Sequence, residues 1–359
     1  MSNKHNYLDF SGQDIYIGID SHRKQWTIKI MTEEVEHKSF TISPPNAEAL
    51  RDYLHKYFPN GKYLCAYEAG FSGFWAQRKL ESIGINCIVV NAADVPSRDK
   101  DKRQKTDRID SRKIAKGLRD GQLDGIYVPS KEAQDDRSLL RTRTMLVRNQ
   151  TRCKNRIKSM LYYNGIELNE PNVQSYWSKN YIRKLESIDS LNESAKVALD
   201  LLIVELKSLK ELIVKITLQV RKLSQNERYN RQAELLKTIP GIGLISAMVI
   251  LTEIIDVKRF GKYDKINSFV GLMPMENSSG DRIYKGRITP RCNKMLRYTL
   301  IESAWTAISI DPALLQAYKR YLNRGIKSNK AIIKIARKLF SRIIHVLIKQ
   351  EAYSIGIVQ

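Results

Sequence analysis

The sequence predicts a mixed α/β domain followed by a helical middle and a third, mainly α region. Three observations carry this. Short β-favouring runs alternate with helical patterns over the first 130 residues; an apolar repeat averaging about 3.5 residues runs through the centre; and a Pro-Gly turn separates two helical runs after Arg231. A chain of 359 residues suits two or three domains. The expected divisions are 1–130, 131–230 and 231–359.

In the first domain the β-favouring runs are IYIGID (Ile15 to Asp20), WTIKIM (Trp26 to Met31), HKSFTI ending at Ile42, KYLCAYE (Lys62 to Glu68) and NCIVVN (Asn86 to Asn91). Helical patterns follow the third run (NAEALRDYLHKYF) and the fourth (GFWAQRKLESIG). Three strands, then helix, strand, helix and strand, suit a mixed sheet flanked by helices.

Four carboxylates occupy suggestive places on that pattern. Asp20 ends the first run and Glu68 the fourth, while Asp107 and Asp110, in KTDRIDSRKIAKGL, share one helical face by their spacing of three. Acids at strand ends and on an adjacent helix can converge to hold one or two Mg²⁺ (or Mn²⁺) ions, hard cations that activate water or a hydroxyl beside phosphate. Singly each reads as a solvated or capping residue; as a set of four they read as a metal site. Cys65, Cys87, Cys153 and Cys292 form no CxxC pair and the five histidines do not cluster near them, so zinc is not expected and any metal would be held by oxygen.

The charge points to the partner. With 61 Lys+Arg against 38 Asp+Glu, a net charge of +23 and a pI near 9.7, the chain calls for a polyanion, most simply nucleic acid. The N-terminus lacks the apolar core of a secretion signal, and no uncharged apolar stretch of about 18 residues occurs, so a cytoplasmic protein without membrane contact is expected.

From Lys131 to Tyr163 the pattern is helical, with Arg137, Arg141, Arg148, Arg152 and Arg156 roughly along one stripe. Such a stripe tracks a phosphate backbone or forms a solvated basic face. Further on, Ala195, Leu199, Leu202, Leu206, Leu209, Ile213, Ile216, Val220 and Leu223 step by four and three, the seam of a coiled coil that either pairs between subunits or folds back on the basic helix. The polar, aromatic segment Asn169 to Asn180 reads as the turn between the two.

In the third region LLKTIPGIGLISAMVILTEI places Gly241 and Gly243 between helical runs, the look of a helix-hairpin-helix turn. Backbone N–H groups there can grip a phosphate, although a turn that merely joins packed helices has the same look. Next comes PMENSSGDRIYKGRITPRCNKMLR, in which Ser278 and Ser279 precede Gly280, with Arg282, Lys285, Arg287 and Arg291 close behind. A serine attacking a phosphodiester needs the added charge neutralised, which arginines supply. Read on its own, SSG is a plain loop.

Taken together, IGID, YEAG, KTDRIDSRKIA, IPGIG, FVGLMP, SSGD and GRIT, with the LR that follows, closely resemble the DEDD transposases of the IS110 and IS1111 group, in family order and spacing over nearly the whole chain. The resemblance implies an N-terminal ribonuclease-H-like (Holliday-resolvase-like) domain, a coiled coil and a C-terminal transposase domain. It also implies a recombinase guided by a noncoding bridge RNA that pairs with donor and target DNA, with a serine in covalent phosphoserine linkage. Carried over residue by residue, Asp20, Glu68, Asp107 and Asp110 are the Mg²⁺ tetrad; the nucleophile falls on the doublet, Ser279 ahead of Ser278. Cys292 departs from the pattern, since many relatives have glycine there. The implied reaction is cut-and-rejoin recombination of an insertion sequence, without ATP or zinc, by a homo-oligomer (dimer or tetramer) acting at the nucleoid, with the tetrad contributed by a neighbouring subunit. Two other readings remain: a metal-dependent Holliday-junction-type nuclease that hydrolyses DNA without a serine adduct, and a catalytically idle nucleic-acid-binding protein.

Overall fold

The computed structural model describes residues 9–96, 106–167, 177–279 and 282–355; for 276–279, 282–285 and 287 it describes the backbone alone. The chain divides into two compact units, Met1–Val128 and Pro129–Gln359.

The first unit contains β1 (Asp14–Ser21), β2 (Trp26–Met31), β3 (Phe40–Ile42), α1 (Ala47–Tyr57), β4 (Lys62–Glu68), α2 (Trp75–Ser82), β5 (Asn86–Val90) and α3 (Asp107–Arg119). Its sheet has the order β3-β2-β1-β4-β5, with β1, β2 and β3 antiparallel and β4 and β5 parallel to β1. Parallel neighbours need a crossover, and α1 and α2 are the helices that the sequence supplies for it. Asn46 starts α1 by accepting a hydrogen bond from the Ala49 amide at 3.0 Å. The third expected strand shortens to Phe40–Ile42 at the sheet edge, with part of HKSFTI left irregular.

On one face of the sheet Ile15, Ile17, Ile19, Trp26, Ile28 and Ile30 pack with Leu50, Leu54 and Leu80. The other face is covered by α3, where Ile114 packs with Ala66 and Val90, and Ala115 with Tyr16 and Met31. Gly18 is the reason α3 comes so close: a Cβ there would stand 2.1 Å from the Ser111 carbonyl oxygen and 2.4 Å from the Ala115 nitrogen. Helix and strand thus touch backbone to backbone, and the first turn of α3 is set beside the end of β1.

Among its described residues the second unit is helical except for one hairpin. It contains α4 (Lys131–Tyr163), α5 (Lys179–Glu186), α6 (Glu193–Ser224), α7 (Asn230–Lys237), α8 (Leu244–Ile254), α9 (Tyr263–Val270), β6 (Pro274–Ser279), β7 (Arg282–Ile288), α10 (Lys294–Ile310), α11 (Pro312–Asn323) and α12 (Ser328–Lys349). The apolar repeat folds back on α4 antiparallel, with Arg143 Nε donating to Thr217 Oγ1 at 2.9 Å and Arg156 pairing with Glu205 further along. Leu199, Leu206 and Leu209 pack with Cys153, Ile157 and Leu161, while Leu140 and Val220 join the C-terminal core around α8, α10 and α12. The segment expected as the turn before α5 lies outside the described residues for 169–176. Among the described residues, no helix is long and apolar enough to cross a membrane.

The SSG stretch differs from its expectation as a loop. Ser278 and Ser279 are strand residues of β6, because the Arg282–Ile288 run pairs with them across the hairpin; Gly280 lies outside the described residues.

Candidate active site

The acid cluster is built by the contact at Gly18. β1 delivers Asp20 to the carboxyl end of the sheet, and the pairing of Ile19 with Tyr67 brings Glu68, one residue on, to the same end of β4. α3 starts at Thr106, whose hydroxyl accepts from the Ile109 amide at 3.4 Å, so Asp107 and Asp110 fall in its first turn, where the helix dipole favours anions. Asp20, Asp107 and one residue that the sequence does not single out, His22, offer ligand atoms that all lie within 4.8 Å of one another. His22 Nε2 is 3.3 Å from Asp20 Oδ2 and 3.7 Å from Asp107 Oδ1. Gln25 donates to Asp107 Oδ2 at 3.5 Å, and Lys113 pairs with Asp110 at 3.1 Å.

Electrostatics mark this as a place wanting positive charge. Burial raises the Asp20 pKa above the usual carboxylate value; Asp107 and Asp110 push it the same way, and His22 opposes. Carboxylate oxygens with one imidazole suit a hard divalent cation, and the nitrogen admits Mn²⁺ as readily as Mg²⁺. Phe71, on the turn after Glu68, and Trp75, the first residue of α2, are exposed aromatics.

In the second unit the hairpin register sets Ser279 opposite Arg282 and Ser278 opposite Ile283, with Glu276 opposite Lys285. The side chains of Ser278, Ser279, Arg282, Lys285 and Arg287 lie outside the described residues. The feet of the hairpin are well tied. Thr289 donates to the Met273 carbonyl at 3.4 Å, and Arg297 Nη1 donates to the Thr289 carbonyl at 2.8 Å. Cys292 packs against Gly271, whose positive φ of 76° and lack of a side chain the contact requires: a Cβ would stand 2.4 Å from Cys292 Cβ.

The arginine stripe of α4 divides. Arg137 and Arg141 turn to the buried carboxylate of Glu253 on α8, Arg141 with both hydrogen bonds under 3 Å. Arg148 and Arg152 instead line a cavity of about 650 Å³ with Arg143, Gly241, Tyr298 and Glu302. Arg156, exposed, pairs with Glu205. In the PGIG turn, Gly241 has φ 82° and would place a Cβ 2.2 Å from the Ser303 carbonyl, so packing against α10 demands glycine there. Gly243, the N-cap of α8, faces open space.

A family model described as "Transposase", for DEDD transposases of IS110 elements, matches residues 17–163, which include the acid cluster and α4. A second, described as "Transposase IS116/IS110/IS902 family", matches 233–319, which include the hairpin. The "Putative transposase y4qE" of Sinorhizobium fredii is 29% identical over 68% of this chain and 58% of its own length. The transposase for insertion sequence element IS1111A of Coxiella burnetii is 26% identical over 71% of this chain and 70% of its own. That for element IS1533 of Leptospira borgpetersenii is 24% identical over 81% and 84%.

The chain belongs to the DEDD transposases of the IS110 type.

In this transposase, Asp20, Asp107 and Asp110 come together, and Glu68 ends the strand next to that of Asp20. His22, Arg143 and Glu253 have no mark in the sequence. A lone histidine in a β1–β2 turn, an arginine off the stripe and a glutamate inside an apolar helix carry no local signal; only their partners distinguish them. Arg291, near the hairpin foot, receives a hydroxyl hydrogen bond from Thr289 on its carbonyl at 3.4 Å.

Proposed function

We propose that this transposase moves an insertion sequence by cutting and rejoining DNA through a phosphoserine intermediate on Ser279, directed by a guide RNA. The carrying observation is the hairpin register: of the two serines, Ser279 is the one paired with a cation, Arg282. The Ser279 oxygen forms a bond to phosphorus as a phosphodiester bond breaks, and a free DNA hydroxyl leaves. In rejoining, a DNA hydroxyl attacks that phosphorus and the serine departs as a hydroxyl. Each phosphoester broken is replaced by another, so no ATP is consumed. Arg282, Lys285, Arg287 and Arg291 neutralise the phosphate as its charge grows.

Asp20, Glu68, Asp107 and Asp110 would hold a divalent cation, Mg²⁺ or Mn²⁺, which when bound supplies Lewis-acid polarisation of a phosphate oxygen. His22 orients Asp20 and Asp107 by its placement between them. The net charge of +23 and the arginine-lined cavity support two polyanionic partners, DNA and RNA. Leu201 and Val204, exposed on α6 away from α4, support assembly as a homo-oligomer.

The test is isolation of protein-linked DNA, under denaturing conditions, from cells expressing the chain with its flanking element DNA. A nucleotide-bearing peptide at Ser279 that vanishes in Ser279→Ala is the expected result. Cleaved DNA without any adduct would instead favour hydrolysis at the acid cluster and overturn the serine mechanism.

A further inference from the structure

The reaction above gives no task to the buried carboxylate of Glu253. Glu253, in the last turn of α8, has a side chain only 1% exposed. Arg141 holds both its oxygens, at 2.8 and 2.9 Å, and Asn293 Nδ2 donates to Oε2 at 2.7 Å. The helix end around it is itself braced: Arg137 Nε donates to the Thr252 carbonyl at 3.3 Å and Arg259 Nε to the Ile254 carbonyl at 2.9 Å. The next residue, Ile255, has φ 64°, an uncommon conformation for a β-branched residue. A buried carboxylate of this kind is tolerable only while its donors stay in place, so whatever Glu253 holds is held firmly.

What it holds is the exit of the serine hairpin. Asn293 uses every polar group it has on that side: its amide donates to the Phe269 carbonyl at 2.8 Å, its Oδ1 caps α10 by accepting from Leu296 at 3.0 Å, and its Nδ2 reaches Glu253. It stands five residues past Ile288, the end of β7, and the stretch between contains Cys292 packed against Gly271 and Thr289 clamped by Arg297. We infer that Glu253 and Asn293 are a positioning pair that fixes the foot of the hairpin, so that the strand carrying Ser279 stands at a set height from the helical core. Neither residue touches the reacting atoms. The inference rests on the serine reading for its consequence in catalysis, though not for its geometry.

Reversing the polarity of one hydrogen bond tests it. Asn293→Asp keeps the oxygen that caps α10 but sets a carboxylate against Glu253. Adding Glu253→Gln returns a donor to that pair from the other side, at the expense of one Arg141 hydrogen bond, because Arg141 Nη2 and Asn293 Nδ2 share Oε2. In the full chain, hydrogen exchange of the amides from 274 to 288 reports the hairpin, thermal unfolding reports the core, and adduct yield with the flanking element DNA reports the reaction. Asn293→Asp should speed hairpin exchange and lower adduct yield about 100-fold, the scale for a reacting group displaced by roughly an ångström. The double variant should recover part of both. Asn293→Ser keeps a capping oxygen without the amide donor and should speed hairpin exchange well beyond what the modest drop in unfolding temperature from one donor lost to buried Glu253 accounts for.

Wild-type exchange in Asn293→Asp and Asn293→Ser, or a double variant no better than Asn293→Asp, would overturn the pair. The two readings separate cleanly. A wild-type chain that forms no serine adduct, yet whose hairpin exchange follows the cycle, removes the serine mechanism and upholds the pair; normal adduct with indifferent exchange does the reverse.

Discussion

Gly18 of β1 and Ser111 of α3 approach so closely that a Cβ on the glycine would stand 2.1 Å from the serine carbonyl oxygen. Everything at the acid cluster hangs on this, because α3 starts only four residues earlier with Asp107. Gly18→Ala must push the helix off the sheet, at a cost of about 3 kcal/mol. Thermal unfolding should show that drop in stability, and calorimetric titration with Mn²⁺ should show weaker binding in the fraction that still folds. Unchanged affinity would mean that α3 does not deliver its acids to Asp20.

Asp20 should carry the pH dependence of cation binding. Its pKa is raised by burial first and by the Asp107 and Asp110 charges, with His22 opposing. The folded chain therefore binds this proton more tightly than the unfolded chain. Stability from this group grows as pH falls through the folded pKa and declines as pH rises. A cation competes with that proton, so affinity should fall on acidification at a higher pH than an ordinary aspartate would give. Asp107→Asn removes one repelling charge and should let Asp20 titrate lower in a carbon-detected NMR titration of the cation-free chain; an unmoved Asp20 would contradict the proximity.

The arginines of α4 should split into two behaviours. Arg148→Ala and Arg152→Ala should weaken nucleic-acid binding, and each should reduce the dependence of log affinity on log salt by about 0.9 for every phosphate the arginine neutralises. Arg137→Ala removes a donor from the buried Glu253 region and should lower stability by about 2 kcal/mol, leaving the salt slope unchanged. Equal slopes in all three variants would erase the distinction.

At the PGIG turn, Gly241→Ala should destabilise the second unit through its clash with the Ser303 carbonyl and its positive φ. Gly243→Ala faces open space and should fold normally. If Gly243→Ala nevertheless weakens DNA binding, the amide end of α8 is gripping phosphate; normal binding would make the turn a packing device alone.

Ser279→Ala should abolish the protein–DNA adduct without altering thermal stability, whereas Ser278→Ala should retain it. The opposite pattern, read by mass spectrometry of the linked peptide, would move the nucleophile to the strand position opposite Ile283.

Much of the fold was legible in residue order because its signals are local. Alternating apolar runs marked β1, β2, β4 and β5, and the helix from Lys131 to Tyr163 ends where its period ends. The carboxylates were legible too, since strand ends and a spacing of three are local facts. The serine doublet was not: Ser278 and Ser279 look like part of a turn until the Arg282–Ile288 run pairs with them. The arginine stripe likewise looks uniform along α4, because nothing nearby in sequence announces Glu253, more than a hundred residues on.

The sequence by itself determined the elements, the basic charge, the acids at the ends of β1 and β4, and the family motifs in order. Periodicity, composition and spacing are written within a few residues of each position. Only the tertiary structure decided that His22 joins Asp20, that Gly18 admits α3, that the apolar repeat closes on α4, and that Glu253 draws in Arg141 and Asn293. Burial and charge pairing depend on which distant segments meet, and that is settled by packing rather than by neighbours in the chain.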